Sequence, residues 1–298
     1  MCGIYACINH DVSLPVDNDV LNRATDTMKH RGPDGRGCVA LGNVGLGHRR
    51  LSIIDLSDAA CQPMSNQDGT VWITYNGELY NYIELRKELE SLGWVFQTQS
   101  DTEVILIGYC EWGERCLQRF NGMFAFAVWD AVRRRLFAAR DRVGIKPLVY
   151  MDDGKRFVLA SELRAILEDR SIPRSIDPVA MHHYFSFMYV PAPFTMIKNI
   201  KKLMPGHYLI VQDGKVTLHQ YWDVTVSDEK ISDPIYAREL LFERIEQSVK
   251  MRLVADVPLG GFLSGGVDSS LVCAIASRYS TEQFNTFSIG FSNLVDFD

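Results

Sequence analysis

Short apolar runs alternate with polar turns over the first two thirds of the chain, the rhythm of antiparallel strands. TVWITYNGELYN (70–81) reads as a strand running into a turn at Asn76-Gly77. YIELRKELESLG (82–93) has helical spacing and stops at Gly93. DTEVILIGYCEWG (101–113) repeats the pattern, with Asp101 expected at the N-cap. GMFAFAVWDAVRRRLFAARDR (122–142) and GIKPLVYMDDGKRFVLAS (144–161) predict two hairpins, the second turning at Asp152-Asp153-Gly154. HHYFSFMYVPAPFTMI (182–197) reads as packed irregular structure. Successive hairpins predict antiparallel sheets covered by helices, an α+β arrangement.

The pattern changes after residue 222. HQYWDVTVSDEKISDP (219–234) is polar and aperiodic, and 223–234 are expected to form a linker. Beyond it come a helix (237–253), a short strand VPLGGFL, a loop SGGVDSS, a helix LVCAIASRYS and a strand TFSIGF. Strand, loop, helix, strand predicts a βαβ unit and the start of a parallel α/β sheet. One crossover cannot cover both faces of such a sheet, so this second domain, 235–298, is expected to be incomplete.

Composition narrows the function classes. The chain has 298 residues and is 47% hydrophobic, with a net charge of -6, which favours a globular protein over a nucleic-acid or anionic-membrane binder. No apolar run reaches the ~18 residues of a membrane span. The seven cysteines include no C-x-x-C pair, which argues against a disulfide framework or structural zinc and for a reducing, cytoplasmic setting. Arg133, Arg134 and Arg135 are expected at a solvated hairpin end.

The chain opens MCGI. Removal of Met1 would leave Cys2 with a thiol and an α-amine on one residue. An amine with a pKa of ~7.7–8 can take the proton of a thiol of pKa ~8.5 near neutral pH. Gly3 leaves room for a substrate. Asn76 and Gly77 could direct a side-chain amide and a backbone N–H at one oxygen. In GLGHRRLSIIDL, an arginine at the mouth of an apolar strand could fork onto a carboxylate. Asp101 could hold an ammonium group. HRGPDGRG (30–37) reads as a structural loop.

Taken in order, MCGI, HRGPDG, RLSIIDL, YNGELYN, SDTEV, GMFAFAVWD, RDRVGIKPL and ASEL resemble the class II glutamine amidotransferases across residues 1–222. The resemblance implies an N-terminal-nucleophile sandwich, two antiparallel sheets layered between helices. It implies Cys2 as the nucleophile on the glutamine amide and Asn76 and Gly77 as the oxyanion hole. Arg50 would bind the substrate carboxylate, with Asn76, Glu78 and Asp101 completing the glutamine site. Arg49 receives no role.

In FLSGGVDSS, two glycines let backbone N–H groups approach a phosphate at a helix start. The loop lacks the Walker A lysine, which suits release of pyrophosphate more than γ-phosphoryl transfer. S-G-G-x-D-S resembles the pyrophosphate loop of ATP pyrophosphatases such as asparagine synthetases. By that resemblance Leu263 and Ile289 flank the nucleoside of ATP. Ser264, Gly265, Gly266, Asp268 and Ser269 hold pyrophosphate, with Asp268 on Mg²⁺.

The implied enzyme hydrolyses glutamine at Cys2 and passes ammonia to an ATP-adenylated acid. The expected acid is aspartate, giving asparagine, AMP and pyrophosphate. A sugar uronate or natural-product acid is the alternative acceptor, and a non-catalytic glutamine sensor is a third reading. A homodimer is compatible with this reading; nucleic acid and membrane partners are not expected.

Overall fold

The computed structural model describes residues 1–227, 230–280 and 282–290. Asp228 and Glu229 of the expected linker, Thr281, and residues 291–298 of the expected second domain lie outside the described residues. The chain divides into two compact units, Met1–Val224 and Thr225–Asp298.

The first unit carries β1 (Gly3–Asn9), β2 (Gly35–Leu41), β3 (Val44–Arg50), β4 (Met64–Ser65), β5 (Val71–Leu79), β6 (Gly122–Asp130), β7 (Arg135–Arg140), β8 (Val149–Asp152), β9 (Arg156–Ala160), β10 (Ile200–Lys202), β11 (His207–Gln212) and β12 (Lys215–Gln220). Its helices are α1 (Asn18–Asp26), α2 (Tyr82–Ser91), α3 (Asp101–Trp112), α4 (Cys116–Arg119), α5 (Leu163–Ile166) and α6 (Pro178–Phe187). The strands form two six-stranded sheets, ordered β10-β8-β9-β1-β3-β2 and β12-β11-β7-β6-β5-β4. Every pairing within them is antiparallel.

Strand alternation explains the layers. Ile4, Ala6 and Ile8 of β1 meet Ala125, Ala127 and Trp129 of β6 between the sheets. Tyr5 of β1 turns the other way, onto Leu21, Ala24 and Met28 beside α1. Phe124, Phe126 and Val128 of β6 face the opposite layer, against Leu85 and Leu89 of α2 and Val104–Ile107 of α3. The order is therefore helix, sheet, sheet, helix. Alanines at 6, 125, 127 and 138 thin the middle layer, so the two sheets can approach closely.

Both hairpins form where the pattern placed them, β6–β7 and β8–β9. Gly93 and Gly113 follow α2 and α3 with φ of 97° and 59°, the left-handed geometry that ends a helix. Four local expectations change. There is no turn at Asn76-Gly77: β5 runs straight through, with Asn76 opposite Ala125 and Gly77 opposite Phe124. Long-range pairing overrides the local turn chemistry, and glycine is needed there for close approach. A Cβ on Gly77 would lie 2.3 Å from the Met123 carbonyl oxygen. The N-cap of α3 is Ser100, which accepts the Thr102 N–H, so Asp101 is the first helical residue. Residues 182–187 are helical, and Phe185 and Met188 stand 74% and 78% exposed rather than packed. At the β6–β7 turn, Arg135 points inward, to Glu114 and the Tyr109 hydroxyl, while Arg133 and Arg134 stay exposed.

In the second unit, α7 (Pro234–Met251) precedes β13 (Gly260–Phe262), α8 (Val267–Tyr279) and β14 (Asn285–Phe287). The strands pair in parallel, Gly260 opposite Asn285, as a βαβ unit requires. Val249 of α7 packs on Ile275 and Ala276 of α8.

Candidate active site

The N-terminal strand brings Cys2 to the end of β3. Gly3 pairs with Arg49, and the chain beyond Arg50 folds back over the thiol. Cys2 Sγ accepts the Leu51 N–H at 3.3 Å and lies 3.6 Å from the Leu51 carbonyl oxygen. A second tie holds the backbone: Arg31 donates from Nε to the Cys2 carbonyl at 2.9 Å and from its terminal nitrogen to Glu162 at 3.1 Å. The loop HRGPDGRG thus contributes directly to placing the cysteine, which its Gly/Pro content conceals. Burial pushes the Cys2 thiol up; the Leu51 N–H, the N-terminal ammonium and Lys146 oppose this, and Asp101 adds to it. Burial also holds the N-terminal ammonium below its ordinary value. That amine belongs to Met1 here, so the base envisaged on Cys2 exists only after Met1 is removed.

Asn76 is 1% exposed, and among the described residues neither its Nδ2 nor its Oδ1 has a partner. A buried amide costs about 1–3 kcal/mol when left unbonded, so this position is built for a group that arrives. The β5 backbone before Asn76 is fixed from the other sheet. The carbonyl of Tyr75 takes a bond from His48 Nε2 at 3.0 Å, and Thr74 donates to the Gly47 carbonyl at 3.0 Å. Burial lowers the pKa of His48 to about 3, so its ring stays neutral. His48 lay inside a quoted motif but carried no signal in the sequence, because its role depends on the meeting of two sheets.

Asp101 is buried at the start of α3. Its Oδ2 accepts the Tyr75 hydroxyl and the Leu79 N–H, each at 2.9 Å. Burial raises its pKa to about 6 despite those bonds. Glu78 is half-buried on β5, and its charge is felt at Tyr75 together with those of Asp101 and Cys2. Arg50 is 7% exposed and donates to the carbonyls of Ser57 (2.8 Å), Ile54 (3.4 Å) and Asp55. Three bonds leave two of the five guanidinium donors for a further acceptor. Arg49 runs toward Asp26 at 3.9 Å, and its Nε is unpartnered among the described residues.

The second predicted loop lies in the second unit. Gly265 has φ of 85° with open space where a Cβ would sit, and Gly266 caps α8 without a side-chain acceptor. Ser264 and Ser269 hydroxyls lie 3.1 Å apart, and the Ser269 hydroxyl accepts the Ser264 N–H at 3.3 Å. Asp268 stands exposed in the first helical turn. Leu263 is tied to Phe287 and Ser288, and Ile289 follows, 79% exposed. An open cradle at a helix start with a neighbouring carboxylate fits a phosphate and its Mg²⁺. Among the described residues no cluster of three His, Cys, Asp or Glu side chains forms a metal site.

The family model for the glutamine amidotransferase domain matches residues 1–222, and that for asparagine synthase matches 240–298. Asparagine synthetase [glutamine-hydrolyzing] 1 of Bacillus subtilis is 39% identical over 98% of this chain and 46% of its own length. A putative asparagine synthetase 2 of Methanocaldococcus jannaschii is 36% identical over 99% of this chain and 61% of its own. The chain thus spans about half the length of the curated relatives it matches. The glutamine phosphoribosylpyrophosphate amidotransferase of B. subtilis superposes with a TM-score of 0.55 at 17% identity, over 96% of this chain and 65% of that one. At that identity the likeness establishes the fold, the N-terminal-nucleophile sandwich.

Proposed function

The chain belongs to the glutamine amidotransferase family, and on that premise we propose that it releases ammonia from glutamine at Cys2. The observation that carries this reading is the buried amide of Asn76, unpartnered among the described residues, next to Tyr75, where the charge of the backbone-held Cys2 thiol is felt. Once Met1 is gone, the Cys2 amine takes the thiol proton and the sulfur bonds to the amide carbon of glutamine. The carbonyl electrons move onto oxygen, and Asn76 Nδ2 and the Gly77 N–H stabilise that oxyanion. The C–N bond then breaks, the amine proton passes to the leaving nitrogen, and ammonia departs. Water hydrolyses the thioester to glutamate and restores the thiol. The two spare donors of Arg50 hold the substrate carboxylate; Asp101 and Glu78 hold its ammonium.

Residues 1–222 are assigned to this glutaminase, 223–234 to a linker and 235–298 to part of a synthetase domain. ATP supplies an adenylated carboxylate for ammonia to attack. Ser264, Gly265, Gly266 and Ser269 cradle its phosphates, Asp268 holds Mg²⁺, and Leu263 and Ile289 flank the nucleoside. Two observations favour aspartate as the acceptor: the asparagine synthase match and the names of the relatives.

The test is Cys2→Ala. Glutamate and ammonia release should fall to background while glutamine still binds. Hydrolysis that survives the substitution removes Cys2 as the nucleophile. A native chain that binds glutamine without releasing ammonia is a sensor. Pyrophosphate release by the protein with its complete synthase domain, dependent on aspartate and not on other acids, tests the acceptor.

A further inference from the structure

Lys146 is only 4% exposed, and among the described residues its Nζ makes no hydrogen bond and no ion pair. A buried lysine without a partner is costly and demands a reason. Its backbone is clamped at both ends. The N–H donates to Asp141 Oδ2 at 2.9 Å, and the carbonyl accepts Arg140 Nε at 2.7 Å. Arg140 also holds the carbonyls of Gly144 (2.8 Å) and Leu203 (2.6 Å). Asp141, fully buried, is in turn bonded to β6 at Phe124, giving its N–H to the Phe124 carbonyl at 2.8 Å and accepting the Phe124 N–H at 3.2 Å. Phe124 is the cross-strand partner of Gly77. The loop 141–146 is therefore tied to β6 beside the predicted oxyanion strand, and it carries the buried Lys146 side chain, whose ammonium is unpaired among the described residues.

The charges that face this lysine are the Cys2 thiol, Glu78, Arg31 and Asp141. The charges that face the thiol are the N-terminal ammonium, Asp101 and Lys146. We propose that Lys146 is a positioning residue of the glutaminase site, its ammonium stabilising the thiolate of Cys2. This rests on the reading of Cys2 as nucleophile. The lysine counters Asp101, whose carboxylate the substrate ammonium needs but the thiolate does not. No proton is transferred to or from Lys146; it acts through its fixed charge.

The test is the pH profile of Cys2 alkylation by iodoacetamide, read on the Cys2 peptide by mass spectrometry, in wild type, Lys146→Met and Lys146→Arg. Lys146→Met should move the midpoint to higher pH and slow alkylation at pH 7 about threefold or more, as a shift of about half a unit requires. Lys146→Arg should restore the wild-type profile. A Lys146→Met profile that superimposes on wild type overturns the proposal. So does an equal shift in both variants, which would mark a packing role. Should Lys146→Met not fold, Lys146→Gln is read the same way. The alkylation profile needs no turnover, so it separates this proposal from the glutaminase reading, which Cys2→Ala decides.

Discussion

Replacing Asp101 with Asn tests the electrostatics of the site most directly. The carboxyl titrates at about 6, against an ordinary 3.8, because burial penalises the anion more than the Tyr75 and Leu79 bonds favour it. A gap of about 2 units at about 1.4 kcal/mol each makes the ionised form about 3 kcal/mol less stable in the empty site. The sign follows from the folded pKa lying above the unfolded one. The contribution is fully present below pH 3.8 and is lost as pH rises through 6. Asn keeps an oxygen for both bonds and removes the charge. Urea denaturation of the unliganded proteins from pH 4 to 7 should therefore show Asp101→Asn gaining on wild type as pH rises, by up to about 3 kcal/mol above pH 6. Glutamine hydrolysis should move the other way. In wild type, kcat/KM should fall as pH drops through about 6, because the protonated carboxyl no longer attracts the substrate ammonium. In Asp101→Asn, kcat/KM should be about 10- to 100-fold lower, the value of a charge-assisted bond. Parallel stability curves for the two proteins from pH 4 to 7 would refute the account.

Two further changes address geometry. Gly77→Ala places a methyl 2.3 Å from the Met123 carbonyl oxygen and 2.8 Å from Phe124 Cα, both backbone atoms. It should cost at least about 2 kcal/mol in chemical denaturation and lower kcat for glutamine, and wild-type behaviour would show that β5 can yield. Asp268→Asn in the second unit should weaken nucleotide binding with Mg²⁺ present and leave Mg²⁺-free binding nearly unchanged, measured with a fluorescent ATP analogue.

Legibility in the sequence followed the range of the interactions. Both hairpins, the glycines that end α2 and α3, and the βαβ crossover depend on near neighbours, and the hydrophobic period and turn residues declare them. Asn76-Gly77 misled because its local chemistry favours a turn, while pairing with Ala125 and Phe124 keeps it extended. Arg31 was hidden in a Gly/Pro loop, since only the fold brings it to the Cys2 carbonyl 29 positions away. His48 and Lys146 act across sheets and loops, so no spacing marks them.

These long-range groups share a physical feature: each is unfavourable where it sits. Among the described residues Asn76 lacks partners for both polar atoms and His48 for Nδ1, and Asp101 carries a carboxyl that resists ionisation. Such a set persists only where the surroundings over-determine it. Here the close middle layer of the sandwich does so, with Thr74 and His48 stitching β5 to β3 across it. The same burial decides how the site responds to acid. His48, the imidazole nearest the predicted oxyanion strand, titrates near 3 and cannot produce a limb in the neutral range. A loss of activity near pH 6 would, in an unfamiliar enzyme, ordinarily be credited to a histidine. In this protein the carboxyl that titrates near 6 is Asp101, and the limb is predicted to follow it. His48→Asn should therefore lower the rate while leaving the acid limb in place, and Asp101→Asn should remove the limb. A limb that disappears in His48→Asn and survives in Asp101→Asn would reverse the assignment.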